Sequence, residues 1–363
     1  MNKIVKQDIE NLIFDISDIN ELSNKTILIT GATGLIAKYL TYFFLELNHS
    51  KNTNIKVLAL VRNIDKAKKS FDDFIDDDNL ILLNQDVCET IQYEGNIDYI
   101  FHAAGSASAY AIRTNPTGII RANTIGTMNV LELAKEKNVK KVIFPSTREI
   151  YGKIENTNLI SENDMGVLDP LDSRNCYPES KRISEAMLKS YQNQYGINFN
   201  ILRIAHTYGP TMELLNDGRV MADFIKSTVS NENITLNSDG TAIRSFCYVT
   251  DTIKGIIQVL INGNPGEAYN LANEKEPYMI RTIAQMLVDF YPEKKIELVF
   301  SNPSDDVKKG YVNYKIVQLD TTKIERLGWE PNVTLSDGLK RTVQYFEEEQ
   351  KLIKRVWWNE TNN

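Results

Sequence analysis

Lys25-Thr26-Ile27-Leu28-Ile29-Thr30-Gly31-Ala32-Thr33-Gly34-Leu35-Ile36-Ala37 decides the fold. Its first six residues are a short β-branched, apolar run, the composition of a parallel strand buried on both faces. The run passes directly into Gly-x-x-Gly-x-x-Ala and then an apolar helical segment from Tyr39 to Leu47. Glycines at a strand-to-helix turn let backbone N–H groups approach a pyrophosphate at the positive end of the helix. Gly31 and Gly34 are therefore placed for such an approach. Ala37 stands where a third glycine is common, and it is small enough for close helix–strand packing.

Working outward, strands alternate with helical patterns. Lys56 to Val61, Leu80 to Leu83, Ile97 to His102, Lys141 to Phe144 and Asn198 to Ile204 read as strands. Helical periodicity covers Ile119 to Lys137 and Pro178 to Tyr195. This alternation predicts an α/β fold built on a doubly wound parallel sheet of Rossmann type. Residues 1–24 are expected to form a helical extension. Residues 25–205 would be mainly a dinucleotide-binding domain. Residues 206–363, where the pattern loosens into loops and short elements, would be mainly a smaller substrate lobe, with some chain returning to the large domain. Ligands of such sheets sit beyond the carboxyl ends of the strands, where every motif below falls.

The chemistry is carried by Tyr177-Pro178-Glu179-Ser180-Lys181 together with Ser146-Thr147. In a helix, Y-x-x-x-K puts the phenol and the ammonium on one face. A free tyrosine titrates near pH ~10, too high to take a proton from a sugar hydroxyl. One positive charge ~4 Å away is worth ~4 kcal/mol at an effective dielectric of ~20, which is roughly 3 pKa units. Lys181, with an oxidised nicotinamide ring beside it, is expected to bring the Tyr177 phenol near 7.

Composition narrows the class. The 363 residues suffice for a large core, and the 42% hydrophobic and 25% charged fractions are those of an ordinary globular protein. A net charge of −7 without a basic run argues against nucleic acid as a partner. No apolar stretch approaches the ~20 residues of a membrane span, and the N-terminus lacks a signal-peptide core, so the cytoplasm is the expected location. Cys88, Cys176 and Cys247 have neither disulfide nor metal-ligand spacing, and the 3 histidines are dispersed, so no metal site is expected.

From about Lys25 to about Phe346 the chain resembles the extended short-chain dehydrogenase/reductases of the sugar-nucleotide epimerase, dehydratase and decarboxylase group. Within it, the resemblance is greatest to UDP-glucuronate decarboxylases. Arg174-Asn175-Cys176-Tyr177, Glu179, Lys181-Arg182, Tyr208-Gly209-Pro210, Asn216-Asp217-Gly218-Arg219-Val220, Arg244-Ser245-Phe246-Cys247-Tyr248-Val249 and Asp251 carry it. The resemblance implies an enzyme that oxidises C4 of a nucleotide-diphosphate sugar with a tightly bound NAD or NADP. The 4-keto intermediate would then lose CO2 from a uronic acid; 4-epimerisation and NADPH-dependent keto-sugar reduction are the alternatives. A dinucleotide-binding regulatory protein is the non-enzymatic alternative, although such proteins typically lose the Tyr or the Lys.

The resemblance also implies roles: Thr30, Gly31, Thr33, Gly34, Leu35 and Ile36 would line the pyrophosphate. Tyr177 would be the base, Lys181 would hold the nicotinamide ribose, and Thr147 would bond the reacting oxygen with Ser146 beside it against the cofactor. Asp86 and Val87 would meet the adenine, Ala103, Ala104 and Gly105 would lie beneath the cofactor, and Asn123 would support it. Arg219 and Arg244 would clamp the substrate diphosphate, as guanidinium forks suit phosphate oxygens. The helices of residues 123–137 and 178–195 would pair with their two-fold mates as a four-helix bundle in a homodimer.

Three departures bear on specificity. Dehydratases of the group carry Thr-Asp-Glu where this chain has Thr147-Arg148-Glu149. An arginine cannot protonate the departing hydroxyl, which disfavours 4,6-dehydration. Decarboxylases have Ser-Glu here, so Glu149 fits as a catalytic candidate, while Arg148 could orient a substrate carboxylate. Second, Leu60-Val61-Arg62-Asn63 stands where decarboxylases have an Asp for the adenosine ribose; Arg62 favours the extra phosphate of NADP. Third, His206 stands where the family usually has an Asn that touches substrate phosphate, and would act as a donor in its place.

Overall fold

A computed structural model describes residues 1–16, 19–155, 157, 159–301 and 318–361. Seven parallel strands form the central sheet: β1 (Thr26–Thr30), β2 (Lys56–Val61), β3 (Leu80–Asn84), β4 (Tyr99–His102), β5 (Lys141–Thr147), β6 (Phe199–Ile204) and β7 (Glu267–Leu271). Their spatial order is β3-β2-β1-β4-β5-β6-β7. The order reverses between β1 and β4, and a doubly wound sheet opens its ligand crevice at such a reversal. The six strands read from the sequence all pair in this sheet, because two-sided burial imposes the continuous apolar runs that mark them.

Helices α1 (Lys3–Asp15), α2 (Leu35–Lys51), α3 (Ile64–Ser70), α4 (Ala109–Thr114), α5 (Pro116–Glu136) and α6 (Cys176–Tyr195) account for the first part of the chain. Strand β5 runs to Thr147 rather than stopping at Phe144: Pro145, Ser146 and Thr147 stay in register with Leu202, Arg203 and Ile204. Pro145 has no N–H, so this interior strand gives up one ladder hydrogen bond there.

Beyond residue 206 the chain is more regular than its sequence suggests. Helices α7 (Val220–Ser230), α8 (Val249–Asn262), α9 (Ile280–Phe290) and α10 (Leu335–Thr361) lie there. In α8, Val249, Ile253, Ile256, Ile257 and Leu260 face the core at helical spacing, while Lys254, Gln258 and Asn262 lie on the more exposed side. Strand β7 returns to the sheet edge, pairing Glu267 to Leu271 with Asn200 to Ile204. One continuous apolar cluster joins α1, α2 and these later helices, with Ile9, Phe43, Tyr248, Ile257 and Leu339 among its members. The extension before β1 is thus packed into the same core.

Candidate active site

A cleft of about 540 Å³ opens at the carboxyl ends of β1, β4, β5 and β6. Gly31, Gly34, Leu35 and Ile36 form one wall, Ala103 and Gly105 the floor, and Ser146, Thr147, Tyr177 and Lys181 the opposite wall. The glycine turn is built for close approach. Gly31 has φ +64°, and a Cβ there would stand 2.9 Å from the Ala103 carbonyl oxygen and from the Ala104 Cα. Gly34 precedes α2 in extended conformation and no side chain caps that helix. The first N–H groups of a 17-residue helix therefore face the cleft at its positive end. This cradle fits the pyrophosphate of a dinucleotide.

On the facing wall, Tyr177 lies in the first turn of α6 and Lys181 one turn later, and both are buried. Thr147 ends β5, and its hydroxyl acts to lower the titration of the neighbouring Tyr177 phenol. The same hydroxyl accepts the Glu149 N–H at 3.2 Å, capping the short helical turn Arg148–Tyr151. Lys181 Nζ donates to the Pro145 carbonyl at 2.8 Å and lies 4.4 Å from the centroid of the Phe144 ring.

The electrostatics of the cofactor-free protein weigh on both groups. Burial, reinforced by the Glu149 carboxylate, pushes the Tyr177 phenol up to about 12; the Thr147 hydroxyl and the Arg219 and Arg174 guanidiniums pull the other way. Burial also brings Lys181 down to about 7, against the opposing pull of Glu185. The protein's own groups thus do not bring the phenol near 7. Desolvation opposes both charged forms, a cost that the sequence estimate of one nearby ammonium left out.

Behind this wall lies a layer of side chains in which Glu185, Arg203, His102 and Thr127 have no signature in the sequence. Arg174 grips Glu149 through both terminal nitrogens, one contact being 3.0 Å from Nη2 to Oε1. Ser146 donates to Glu185 at 2.5 Å, and Glu185 in turn is paired with Arg203 at 2.8 Å. Beneath the floor, Thr30 Oγ1 accepts the Ala104 N–H at 3.0 Å, so its own proton is directed to His102 Nδ1 at 2.8 Å. The ring proton of His102 is then assigned to Nε2, which donates to Thr127 Oγ1 at 3.1 Å. Burial, with the Lys181 charge nearby, lowers His102 to about 3 and keeps it neutral. Thr127 donates on to the Asn123 carbonyl, and Asn123 Nδ2 donates to Ser180 at 2.8 Å. Asn123 is wholly buried under the cleft floor, and its Oδ1 has no hydrogen-bond partner among the described residues.

Three of the four substrate candidates, Arg148, His206 and Arg219, line the cleft together with Glu149. Arg219 is paired with Asp217 through Nε at 2.6 Å and Nη2 at 2.7 Å. Arg244 is not among the lining residues; its Nη1 donates to the Ile243 carbonyl at 2.7 Å. His206 adopts φ +50°, and its Nε2 is buried without a hydrogen-bond partner among the described residues. Burial and the charges of Arg148, Arg244 and Arg219 hold its imidazole neutral.

The remaining cofactor candidates do not line the cleft. Arg62 is exposed at the end of β2, and Asp86, partly buried, accepts the Cys88 N–H at 2.9 Å. Val87 is buried against α5, where a Cβ on Gly126 would stand 2.9 Å from its methyl carbon. Ala104 is buried below the floor, and Thr33 is partly buried in the glycine turn. Among the described residues no group of three His, Cys, Asp or Glu side chains is placed to hold a metal, and no helix is long and apolar enough to cross a membrane.

Comparison with known proteins agrees with this geometry. Residues 27–272 match the model of the NAD dependent epimerase/dehydratase family. UDP-glucuronic acid decarboxylase 1 of Danio rerio is 32% identical over 331 residues, which cover 91% of this chain and 75% of that protein. UDP-glucuronic acid decarboxylase 5 of Arabidopsis thaliana is 34% identical over 321 residues, covering 87% of this chain and 88% of that protein. In fold, the chain is similar to UDP-glucuronic acid 4-epimerase from Bacillus cereus, solved in complex with UDP-glucuronic acid and NAD. The TM-score is 0.74 at 22% identity, over 89% of this chain and 99% of the other.

Proposed function

The chain belongs to the NAD dependent epimerase/dehydratase family, and we propose that it is a UDP-uronic acid decarboxylase acting through oxidation at the sugar C4. The observation that carries this reading is the placement of Thr147, Tyr177 and Lys181 on the cleft wall opposite the glycine cradle. It places a hydroxyl pair where a sugar carbinol would meet a cofactor lying along α2. The decarboxylase names of relatives at 32–34% identity support the sugar acid.

In this reading residues 25–205 mainly bind the dinucleotide and residues 206–363 mainly the sugar nucleotide. Gly31, Thr33, Gly34, Leu35 and Ile36 hold the pyrophosphate, Asp86 and Val87 the adenine end, and Ala103, Ala104, Gly105, Asn123 and Ser146 support the ring end. A nicotinamide bound there supplies a hydride acceptor at C4 and a positive ring charge beside Tyr177. That charge and the Lys181 ammonium act against the desolvation that raises the phenol. Tyr177 then accepts the C4 hydroxyl proton while Thr147 fixes the oxygen. The resulting 4-keto uronate is a β-keto acid: its C5–carboxyl bond breaks, CO2 leaves, and the electron pair flows into the ketone. Protonation at C5 and return of hydride and proton to C4 complete a pentose. Glu149, held by Arg174, and Arg219 would position the substrate.

Arg62, exposed at the end of β2, favours NADP over NAD; mass spectrometry of the cofactor released on denaturation decides between them. A 4-epimerase is the second reading, because Arg148 could retain the carboxylate rather than let it leave. Ile120, Ile125 and Met128 of α5 and Ile183 of α6 are exposed apolar residues, and we propose that they form a homodimer of a cytoplasmic enzyme. The test of function is mass spectrometry of UDP-glucuronate incubated with the purified protein. Loss of CO2 supports decarboxylation, an unchanged mass with altered retention supports epimerisation, and unaltered substrate refutes both.

A further inference from the structure

A second cavity, of about 820 Å³, opens beside the first turn of α2 and the start of α3, with Lys38, Asn63, Lys66 and Thr211 among its lining residues. It adjoins the cofactor cleft. Lys66 is paired at 3.4 Å with Glu213, which lines the cleft, and the Lys38 N–H donates to the Gly34 carbonyl at 2.8 Å. Two polar groups here are enclosed without a partner. Lys38 is partly buried and makes no hydrogen bond or ion pair among the described residues. Burial and the Lys66 charge lower its ammonium to about 8, against the opposing pull of Glu213 and Glu349. The Thr211 hydroxyl is buried with no hydrogen-bond partner among the described residues. Its backbone holds φ +67°, a left-handed conformation rare for a β-branched residue. Asn63 Oδ1 accepts the Lys66 N–H at 2.8 Å, which leaves Nδ2 as a donor. Of the carboxylates around the cavity, Asp73 is paired with the N-terminal ammonium and Glu349 accepts from Asn2 at 3.2 Å, while Asp65 and Asp72 are exposed.

An ammonium drawn out of water without a counter-charge, and repelled by a second lysine, carries a cost that a bound anion removes. In this fold the pyrophosphate lies at the first turn of the helix after β1, and the adenosine ribose beyond the end of β2. Strand β2 ends at Val61, and Asn63 and Lys66 follow it at the start of α3. We propose that Lys38 and Lys66, with Asn63 and Thr211 as neutral donors, form the site for a phosphate monoester on that ribose, the 2′-phosphate of NADP. The assignment rests on the dinucleotide reading of the glycine cradle and names the groups that select the cofactor. Arg62 alone would select weakly, because it is exposed and an exposed charge is screened by water and salt. Lys38 is the stronger discriminator because it is withdrawn from solvent. NAD, with a free 2′-hydroxyl, would leave that ammonium without its anion, so it is penalised while NADP is favoured.

The experiment incubates the purified protein with an equimolar excess of NADP and NAD until the bound pair is constant. Free nucleotide is removed by gel filtration, and the retained cofactors are measured by mass spectrometry after denaturation, for the wild type, Lys38→Met and Lys66→Gln. The wild type should retain NADP over NAD by about 10-fold or more, the scale of one charge-assisted hydrogen bond. Lys38→Met should bring the two to near parity with NAD retention kept. Lys66→Gln should reduce the preference by a smaller factor, because Lys66 is exposed and shared with Glu213. Equal retention of the two cofactors by the wild type, or a preference for NAD, overturns the proposal and leaves the dinucleotide reading standing. An unchanged preference in Lys38→Met also overturns it, as does an equal loss of both cofactors at an unchanged thermal midpoint, which would place Lys38 on the pyrophosphate. A wild type that retains neither nucleotide removes the dinucleotide reading and this site with it.

Discussion

Lys181 donates to the carbonyl oxygen of Pro145 at 2.8 Å, tying the first turns of α6 to the end of β5. The bond satisfies one ammonium proton in a place where burial brings the side chain from an ordinary value of 10.5 to about 7. In the unfolded chain the lysine keeps its proton to about pH 10, so between those two values the unfolded state binds more protons. Stability of the cofactor-free protein should therefore rise with pH from about 7 toward 10 by up to about 1 kcal/mol per unit from this group. This increment is lost as pH falls through 7. Denaturant midpoints at pH 6 and pH 9 should show it in the wild type and not in Lys181→Met. Equal pH dependence in both proteins would show that Lys181 is not desolvated as described.

Glu149 raises the Tyr177 phenol and Arg174 lowers it. Arg174→Met removes the favourable charge and frees the unfavourable one, so the ascending limb of kcat/KM against pH should move to higher pH. A profile that stays in place would mean that Tyr177 does not titrate in the rate-determining sequence.

Gly31→Ala puts a methyl group 2.9 Å from the Ala103 carbonyl oxygen, in a left-handed backbone conformation. The expected cost is about 1–3 kcal/mol of stability, with loss of nicotinamide retention on gel filtration. Full retention would contradict the cradle.

Far from the cleft, Asp8 of α1 is wholly buried. It accepts from Tyr248 at 2.6 Å, Tyr39 at 3.1 Å and Arg341 at 2.6 Å. Arg341→Met leaves that carboxylate without its cation and should cost about 3–5 kcal/mol. Asp8→Asn in the same chain should recover part of it, as read from thermal or denaturant midpoints.

What the sequence revealed follows from two-sided burial and from local spacing. Strands β1 to β6 are apolar runs because both faces are covered, and the glycine turn and Tyr177–Lys181 are contiguous motifs whose backbone geometry is set within a few residues. Strand β7 escaped because Glu-Ala-Tyr-Asn-Leu does not look buried. Its Asn270 is nonetheless wholly enclosed, accepting from Tyr151 and donating to the Ile160 and Asp320 carbonyls. Helix α8, by contrast, did carry a signal that went unread, since Val249, Ile253, Ile256, Ile257 and Leu260 recur at helical spacing. Glu185, Arg203, His102 and Thr127 support the cleft through partners 18 to 39 residues away or more along the chain. No local pattern encodes such pairings. The direction of the Tyr177 shift was illegible for the same reason, since desolvation depends on everything packed around the phenol.

The most direct measurement is turnover of UDP-glucuronate by Tyr177→Phe with its nicotinamide content and UDP affinity measured alongside. Cofactor and nucleotide binding should match the wild type while turnover falls by about 10²–10⁴-fold, the usual contribution of a positioned base. Unchanged turnover with binding intact would contradict the phenol as the group that takes the C4 proton.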